Sequence, residues 1–228
     1  MGEIWDALVK AIHLIVSLDR DVVDATWRSL EISAISSSIT ALLCLPLGSL
    51  IHFRRFRGKR FLISTIQTLY SLPTVTVGLV VFVLFSRAGP LGDFGFFLTP
   101  KAMVLGQVML VFPVMLGLII AALSGVDKAV SETATSLGAS RLQTGIVTIR
   151  EARFAIMAAV IMGFGRAFAE VGVSYMVGGN FAGYTRTLTT AMMLETQRGD
   201  MELAMALGII LIVIALVITV ALNWLQQK

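Results

Sequence analysis

Long apolar runs separated by short polar stretches dominate the chain, and those runs predict its elements. Five are long enough to cross a bilayer, at about 29–51, 62–85, 102–124, 154–177 and 203–225. A helical span needs roughly 20 apolar residues. The fifth run is the cleanest, from Ile209 to Val220. A shorter apolar stretch at 4–18 is broken by Asp6, Lys10 and His13. Its Ile4, Leu8, Ala11, Ile12 and Ile15 recur at helical spacing, and Trp5 suits a membrane interface. This stretch reads as an amphipathic helix lying in the interface, followed by a polar link from Asp19 to Asp24.

Polar and helix-bending residues sit inside the spans. The first carries Ser33, Ser36, Ser37, Ser38 and Thr40 ahead of Pro46 and Gly48. Small hydroxyl residues let helices approach closely and bond across their interface. The second holds Gln67, Pro73 and Gly78, and the third Gln107, Pro113 and Gly117. A proline inside a span is consistent with a kink in a packed bundle or with a helix bent around a pathway.

Composition agrees with a membrane bundle. The chain has 228 residues, 57% hydrophobic and 14% charged, with a mean hydropathy of +0.88. Soluble domains are about 45–50% apolar and about 25% charged. Disorder is thereby excluded, and five spans leave no room for a separate soluble catalytic domain. The chain reads as an all-α polytopic membrane protein, with an N-terminal interfacial segment over 1–25 and one transmembrane domain over 26–225. The lone Cys44 lies in an apolar run, and His13 and His52 are far apart, so no zinc-ligand spacing exists. No basic patch interleaved with aromatics points to nucleic acid. Glu3 and Asp6 precede Lys10, unlike the basic start of a signal peptide, so the N-terminus is expected to be retained.

The net charge of +4 is unevenly spread. The loop from His52 to Arg60 and the connection holding Lys128, Arg141, Arg150 and Arg153 are the basic ones. The positive-inside rule places both in the cytoplasm. With five spans, the N-terminus is then outside and the C-terminus inside.

The connection after the third span runs Gly125-Val126-Asp127-Lys128 to Gly138-Ala139-Ser140-Arg141-Leu142. It predicts a short helix from Lys128 to Leu137, a break at Gly138 and a second helix capped by Ser140. Glu132-Thr133-Ala134, three residues, then Gly138 resembles the E-A-A-x3-G core of the coupling loop in membrane subunits of ABC importers. Thr133 stands for the middle alanine. The family's distal I-x-L-P falls at Thr148-Ile149-Arg150-Glu151, without the proline. The resemblance implies that the loop at about 125–152 docks on a cytoplasmic ATPase through Glu132, Thr133, Ala134, Gly138, Ala139 and Ser140.

A further run, Gly163-Phe164-Gly165-Arg166-Ala167-Phe168-Ala169-Glu170-Val171-Gly172, continues to Val177-Gly178-Gly179-Asn180 and to Gly183-Tyr184-Thr185-Arg186-Thr187-Leu188-Thr189-Thr190. It resembles the membrane subunit of tungstate importers and, somewhat less, the molybdate permeases. Leu194-Glu195-Thr196 to Gly199-Asp200 and Leu72-Pro73 to Gly78 fit the same pattern. The resemblance covers nearly the whole chain from about residue 26. It implies the type I ABC importer architecture, a homodimeric permease in the cell inner membrane, a separate ATPase carrying ATP and magnesium, and an extracytoplasmic protein that delivers the oxyanion. No cofactor is expected on this chain.

Arg166 and Glu170 are charges within an apolar span, where they are expensive and face the bundle interior or water. Their i,i+4 spacing predicts a pair on one helix face. Such a pair either fixes helix packing or lines the path, with Arg166 attracting a divalent anion. Residues 178–200 read as a polar outer loop, with Asn180, Tyr184, Thr185 and Arg186 as candidates for an outer gate or for contact with the delivery protein.

No G-x-x-x-x-G-K-S/T loop is present, since Gly58-Lys59-Arg60 lacks the upstream glycine and the hydroxyl residue. The chain is therefore expected not to hydrolyse ATP. The alternatives are a permease for another oxyanion such as sulfate, a secondary carrier or channel without an ATPase, and a membrane-embedded enzyme. The last would need more intramembrane catalytic groups than Arg166 and Glu170.

Overall fold

The computed structural model describes residues 2–226, with the side chains before Trp5 and those of Asn223, Leu225 and Gln226 outside the described set. Its regular elements are helices: α1 (Gly2–Val16), α2 (Arg20–Phe53), α3 (Lys59–Thr68), α4 (Thr74–Phe85), α5 (Pro100–Ser124), α6 (Lys128–Ser136), α7 (Arg141–Glu151), α8 (Arg153–Phe168), α9 (Gly172–Gly178), α10 (Leu188–Arg198) and α11 (Met201–Gln226). No strand occurs among the described residues.

Helix α5 is the centre of the bundle. Val111, Met115 and Ile119 along it are fully buried. Helix α2 runs beside it in the same direction. Ser36 Oγ donates to the Val104 carbonyl at 3.5 Å, Cys44 Sγ to the Phe112 carbonyl at 3.5 Å, and His52 Nδ1 meets Ser124 Oγ at 3.2 Å. The serine row of α2 thus reaches its neighbour at Ser36. Thr40 returns to its own helix, at the Ser36 carbonyl at 2.7 Å, and Ser37 Oγ is buried with no hydrogen-bond partner among the described residues. Close approach on α5 depends on glycine at Gly106, where an added Cβ would collide with the Val173 side chain of α9.

Three helices, α2, α5 and α11, are long and apolar enough to span a membrane alone. The second and fourth expected spans are not single helices. Between the tight turn Leu69–Ser71 and Thr74 the second bends by 95°. Pro73 is the cause: it lacks an N–H, and it holds Leu72 and itself extended at ψ 126° and 129°. The fourth bends by 54° between Phe168 and Gly172.

The N-terminal third also differs from expectation. The polar link at 19–24 is the first turn of α2, because Asp19 caps it: Oδ1 accepts the N–H groups of Asp21 and Val22, each at 3.1 Å. At 34 residues α2 is about 51 Å long, well beyond a hydrocarbon core of about 30 Å. Helix α1 packs on α11 through buried Ala7 and Ala11, while Trp5, Leu8, Val9, Ile12 and Ile15 stay exposed. Lys10 ties it to Glu202 at 3.4 Å and Asp200 at 3.8 Å.

Residues 178–200 are only partly loop. Helix α10 starts at Leu188 because Thr187 and Thr190 form a capping box, and because Leu188 and Ala191 are buried among α11 residues.

Candidate functional site: the basic knob and the bend in the fourth span

The basic end of the bundle carries a protruding knob made of α6 and α7. Asp127 opens α6 by accepting the Ala129 N–H at 2.9 Å. Gly138 closes it at φ +85°, with its N–H on the Thr135 carbonyl at 3.0 Å and the Ala139 N–H on the Ala134 carbonyl at 3.0 Å. Only glycine adopts that backbone conformation without strain. Ser140 opens α7 in a capping box with Gln143, as the sequence predicts. No residue of α6 is buried. Glu132, Thr133, Ala134, Gly138, Ala139 and Ser140 therefore lie together on a projection. Leu137 and Leu142 flank the break at 83% and 75% exposure. Two large apolar side chains so exposed on a polar knob make it a candidate interaction surface. Neither leucine belongs to a motif in the sequence; their place beside the glycine break is the signal.

The expected Arg166–Glu170 pair is not formed. Helix α8 ends at Phe168, so the two residues do not share a helix face. Glu170 is 4% exposed. Its Oε1 accepts the Val173 N–H at 2.9 Å, which caps the start of α9, and its carbonyl accepts Thr189 Oγ1 at 2.8 Å. Glu170 thereby holds the bend between α8 and α9 and ties it to α10. Arg166 points the other way. It is exposed in the last turn of α8, on a side shared with Met162, Gly165 and Ala169, and no ion pair engages it among the described residues. A cation there complements the helix C-terminus, but the i,i+4 argument fails because the helix unwinds before it reaches Glu170.

The capping role predicts the outcome of two substitutions. Glu170→Gln keeps an oxygen acceptor for the Val173 N–H and should leave thermal unfolding of the purified protein nearly unchanged. Glu170→Ala removes the cap, with an expected loss of about 1–2 kcal/mol. If the glutamine variant were as unstable as the alanine variant, the charge rather than the cap would be the important property.

In the segment at 179–187, the candidate residues divide by burial. Thr185 is fully buried; its Oγ1 donates to the Gly178 carbonyl at 2.6 Å and accepts the Phe181 N–H at 2.9 Å. Asn180 is 9% exposed at φ +56° and donates from Nδ2 to the Thr190 carbonyl at 3.3 Å. Arg186 is half-buried and bonds the Asn180 carbonyl from Nη2 at 3.4 Å. These three hold the segment's own backbone. Tyr184 is exposed, as is Phe181, which sequence reasoning passed over. Another polar contact joins the middle of the bundle: buried Gln107 of α5 donates from Nε2 to buried Ser174 of α9 at 3.5 Å.

Comparison with known proteins agrees with this architecture. Residues 44–228 match the family model described as a binding-protein-dependent transport system inner membrane component. The chain is 37% identical, over 228 residues and the full length of both chains, to the tungstate uptake system permease protein TupB of Peptoclostridium acidaminophilum. It is 38% identical over 225 residues to the TupB of Campylobacter jejuni, covering 99% of this chain and 92% of that one. Among solved structures, a chain of the MetNI methionine ABC transporter in an inward facing conformation superposes with a TM-score of 0.76 at 18% identity, covering 92% of this chain and 97% of that one. That likeness shows the fold, a type I ABC importer permease. A multi-pass bundle of this fold, matched over most of its length, places the chain in the family of binding-protein-dependent transport system inner membrane components.

Proposed function

We propose that two copies of this chain form the pathway of an ATP-driven importer of tungstate. The single observation that carries the substrate is the end-to-end likeness to tungstate uptake permeases. ATP and magnesium belong to a partner ATPase, and a delivery protein outside the membrane hands over the oxyanion. The basic knob faces the cytoplasm, as the positive-inside rule requires, which sets the N-terminus outside and the C-terminus inside. Leu137 and Leu142 insert into the ATPase, with Glu132 to Ser140 fixing the shape of the knob between them. Arg166 lines the pathway, because an exposed guanidinium at that depth is not left against lipid. Its charge attracts a divalent anion, while solvent keeps the hold weak enough for release. Tyr184 and Phe181 present the surface that meets the delivery protein or closes the outer gate, on a backbone fixed by Asn180, Thr185 and Arg186.

The test is co-purification from native membranes followed by uptake in proteoliposomes. The expected result is a complex with two copies of this chain, an ATPase, and tungstate uptake that excess sulfate does not suppress. Molybdate shares the charge and tetrahedral form of tungstate and is the competitor to titrate. Purification of the chain alone, with uptake independent of ATP, would favour a secondary carrier. Uptake of sulfate in preference to tungstate would overturn the substrate.

A further inference from the structure

We infer that the groove between α2, α8 and α11 binds an anionic phospholipid, with an acyl chain along the groove and the phosphate on Arg153. The groove has a volume of about 500 Å³. Ala34, Ser37 and Ser38 of α2, Met157 and Phe164 of α8, and Leu222 of α11 are among its lining residues. Among the described residues, the two serines are the only lining residues with polar side chains.

The surrounding surface gives this groove to lipid rather than to a second copy of the chain. Apart from the two serines its described lining is apolar, which fits hydrocarbon. Arg166 lies on the other side of α8. At about 100° per residue, its exposed side and the groove side are roughly half a turn apart. The charged side of α8 needs water or protein against it, which leaves the groove side to the bilayer.

The headgroup position follows from the helix repeat. Arg153 stands three and four residues before Ile156 and Met157, both in the lining, so it occupies the same side one turn below the groove. It is exposed, its guanidinium lies over the Phe154 ring at 4.6 Å from the centroid, and no ion pair engages it among the described residues. Arg150 and Glu151 at the end of α7 are the neighbouring charges, both exposed, and the corner they form with Arg153 remains net positive. From Arg153 to Phe164 the helix rises about 16 Å, close to one leaflet of a hydrocarbon core about 30 Å thick. A phosphate at Arg153 therefore leaves an acyl chain the length of the groove.

The test is native mass spectrometry of the complex, purified in the presence of equal phosphatidylglycerol and phosphatidylcholine of matched chain length. Its readout is independent of uptake, so it stands apart from the substrate proposal. The wild type is expected to retain phosphatidylglycerol about fivefold over phosphatidylcholine, the factor one basic residue near an anionic headgroup supplies. Arg153→Gln should bring the two lipids to parity while total bound lipid persists. Ala34→Phe, which fills the groove, should lose both. An unchanged phosphatidylglycerol preference in Arg153→Gln would overturn the headgroup site, and that exposed residue can be replaced without touching the core. Loss of subunits from the complex in Ala34→Phe with bound lipid unchanged would show a second copy in the groove instead.

Discussion

Replacing Arg166 by glutamate is expected to abolish uptake, and adding Glu170→Arg is not expected to restore it. Residues spaced as these are would exchange charge freely if they formed a simple pair. Here they do not pair. Glu170 sits at the bend with Oε1 on the Val173 N–H at 2.9 Å. A guanidinium has donors only, so arginine at that position leaves the N–H without its acceptor and puts a cation in a site only 4% exposed to solvent. Leaving one buried donor unpaired costs about 1–3 kcal/mol, before any penalty for the charge. Arg166 is exposed on the far side of α8, where a carboxylate would repel a divalent anion. Arg166→Gln should lower uptake by about tenfold or more, the factor set by roughly 1.4 kcal/mol of lost attraction. Arg166→Lys should recover part of it. Initial uptake rates, normalised to assembled complex, are the measurement. Recovery by the double variant would show that pairing outweighs the position of the positive charge.

Gly138→Leu is expected to leave a folded, membrane-inserted chain that no longer couples ATP hydrolysis to uptake. The φ of +85° at Gly138 is a left-handed conformation in which a side chain costs about 1–2 kcal/mol. No heavy atom lies within 4 Å of an added Cβ, so the strain is in the backbone and not in packing. The cheapest relief is to reshape the turn between α6 and α7. That turn sets the relative positions of Leu137 and Leu142, the two apolar side chains offered to the ATPase. Because α6 buries nothing against the bundle, the membrane helices do not sense the change. Uptake should fall by about tenfold or more, as for the loss of one apolar contact worth roughly 1.5 kcal/mol, while ATP hydrolysis continues. Gly138→Asn is the control, since asparagine tolerates this conformation and should retain much of the coupling. Full uptake by the leucine variant would remove the knob from the transmission path.

How much of this was legible in the sequence is clearest at particular residues. The knob is a local structure: Asp127, Gly138 and Ser140 act on backbone groups within three residues of themselves, so spacing alone placed both helices and the break. The spans were legible because bilayer-crossing helices need long apolar runs whatever surrounds them. Pro73 was visible as an interruption, but not the 95° bend it permits. A proline frees backbone groups, and neighbouring helices decide whether the chain kinks or turns. Arg166 and Glu170 show the same limit more sharply. Their spacing implies contact only while the helix continues, and it stops at Phe168 because α9 packs in a new direction along α4 and α5, with Val173 fitted against Gly106. That choice depends on residues about seventy positions away in the chain. In the same way the threonines at 185–190 looked like a polar loop and became caps and cross-braces once α2, α10 and α11 came together. By itself the sequence determined the class, the spans and the knob, because short-range hydrogen bonding and hydrophobic length fix them. Only the tertiary structure decided where the spans bend and which charges face one another, because those depend on close packing between segments distant in sequence.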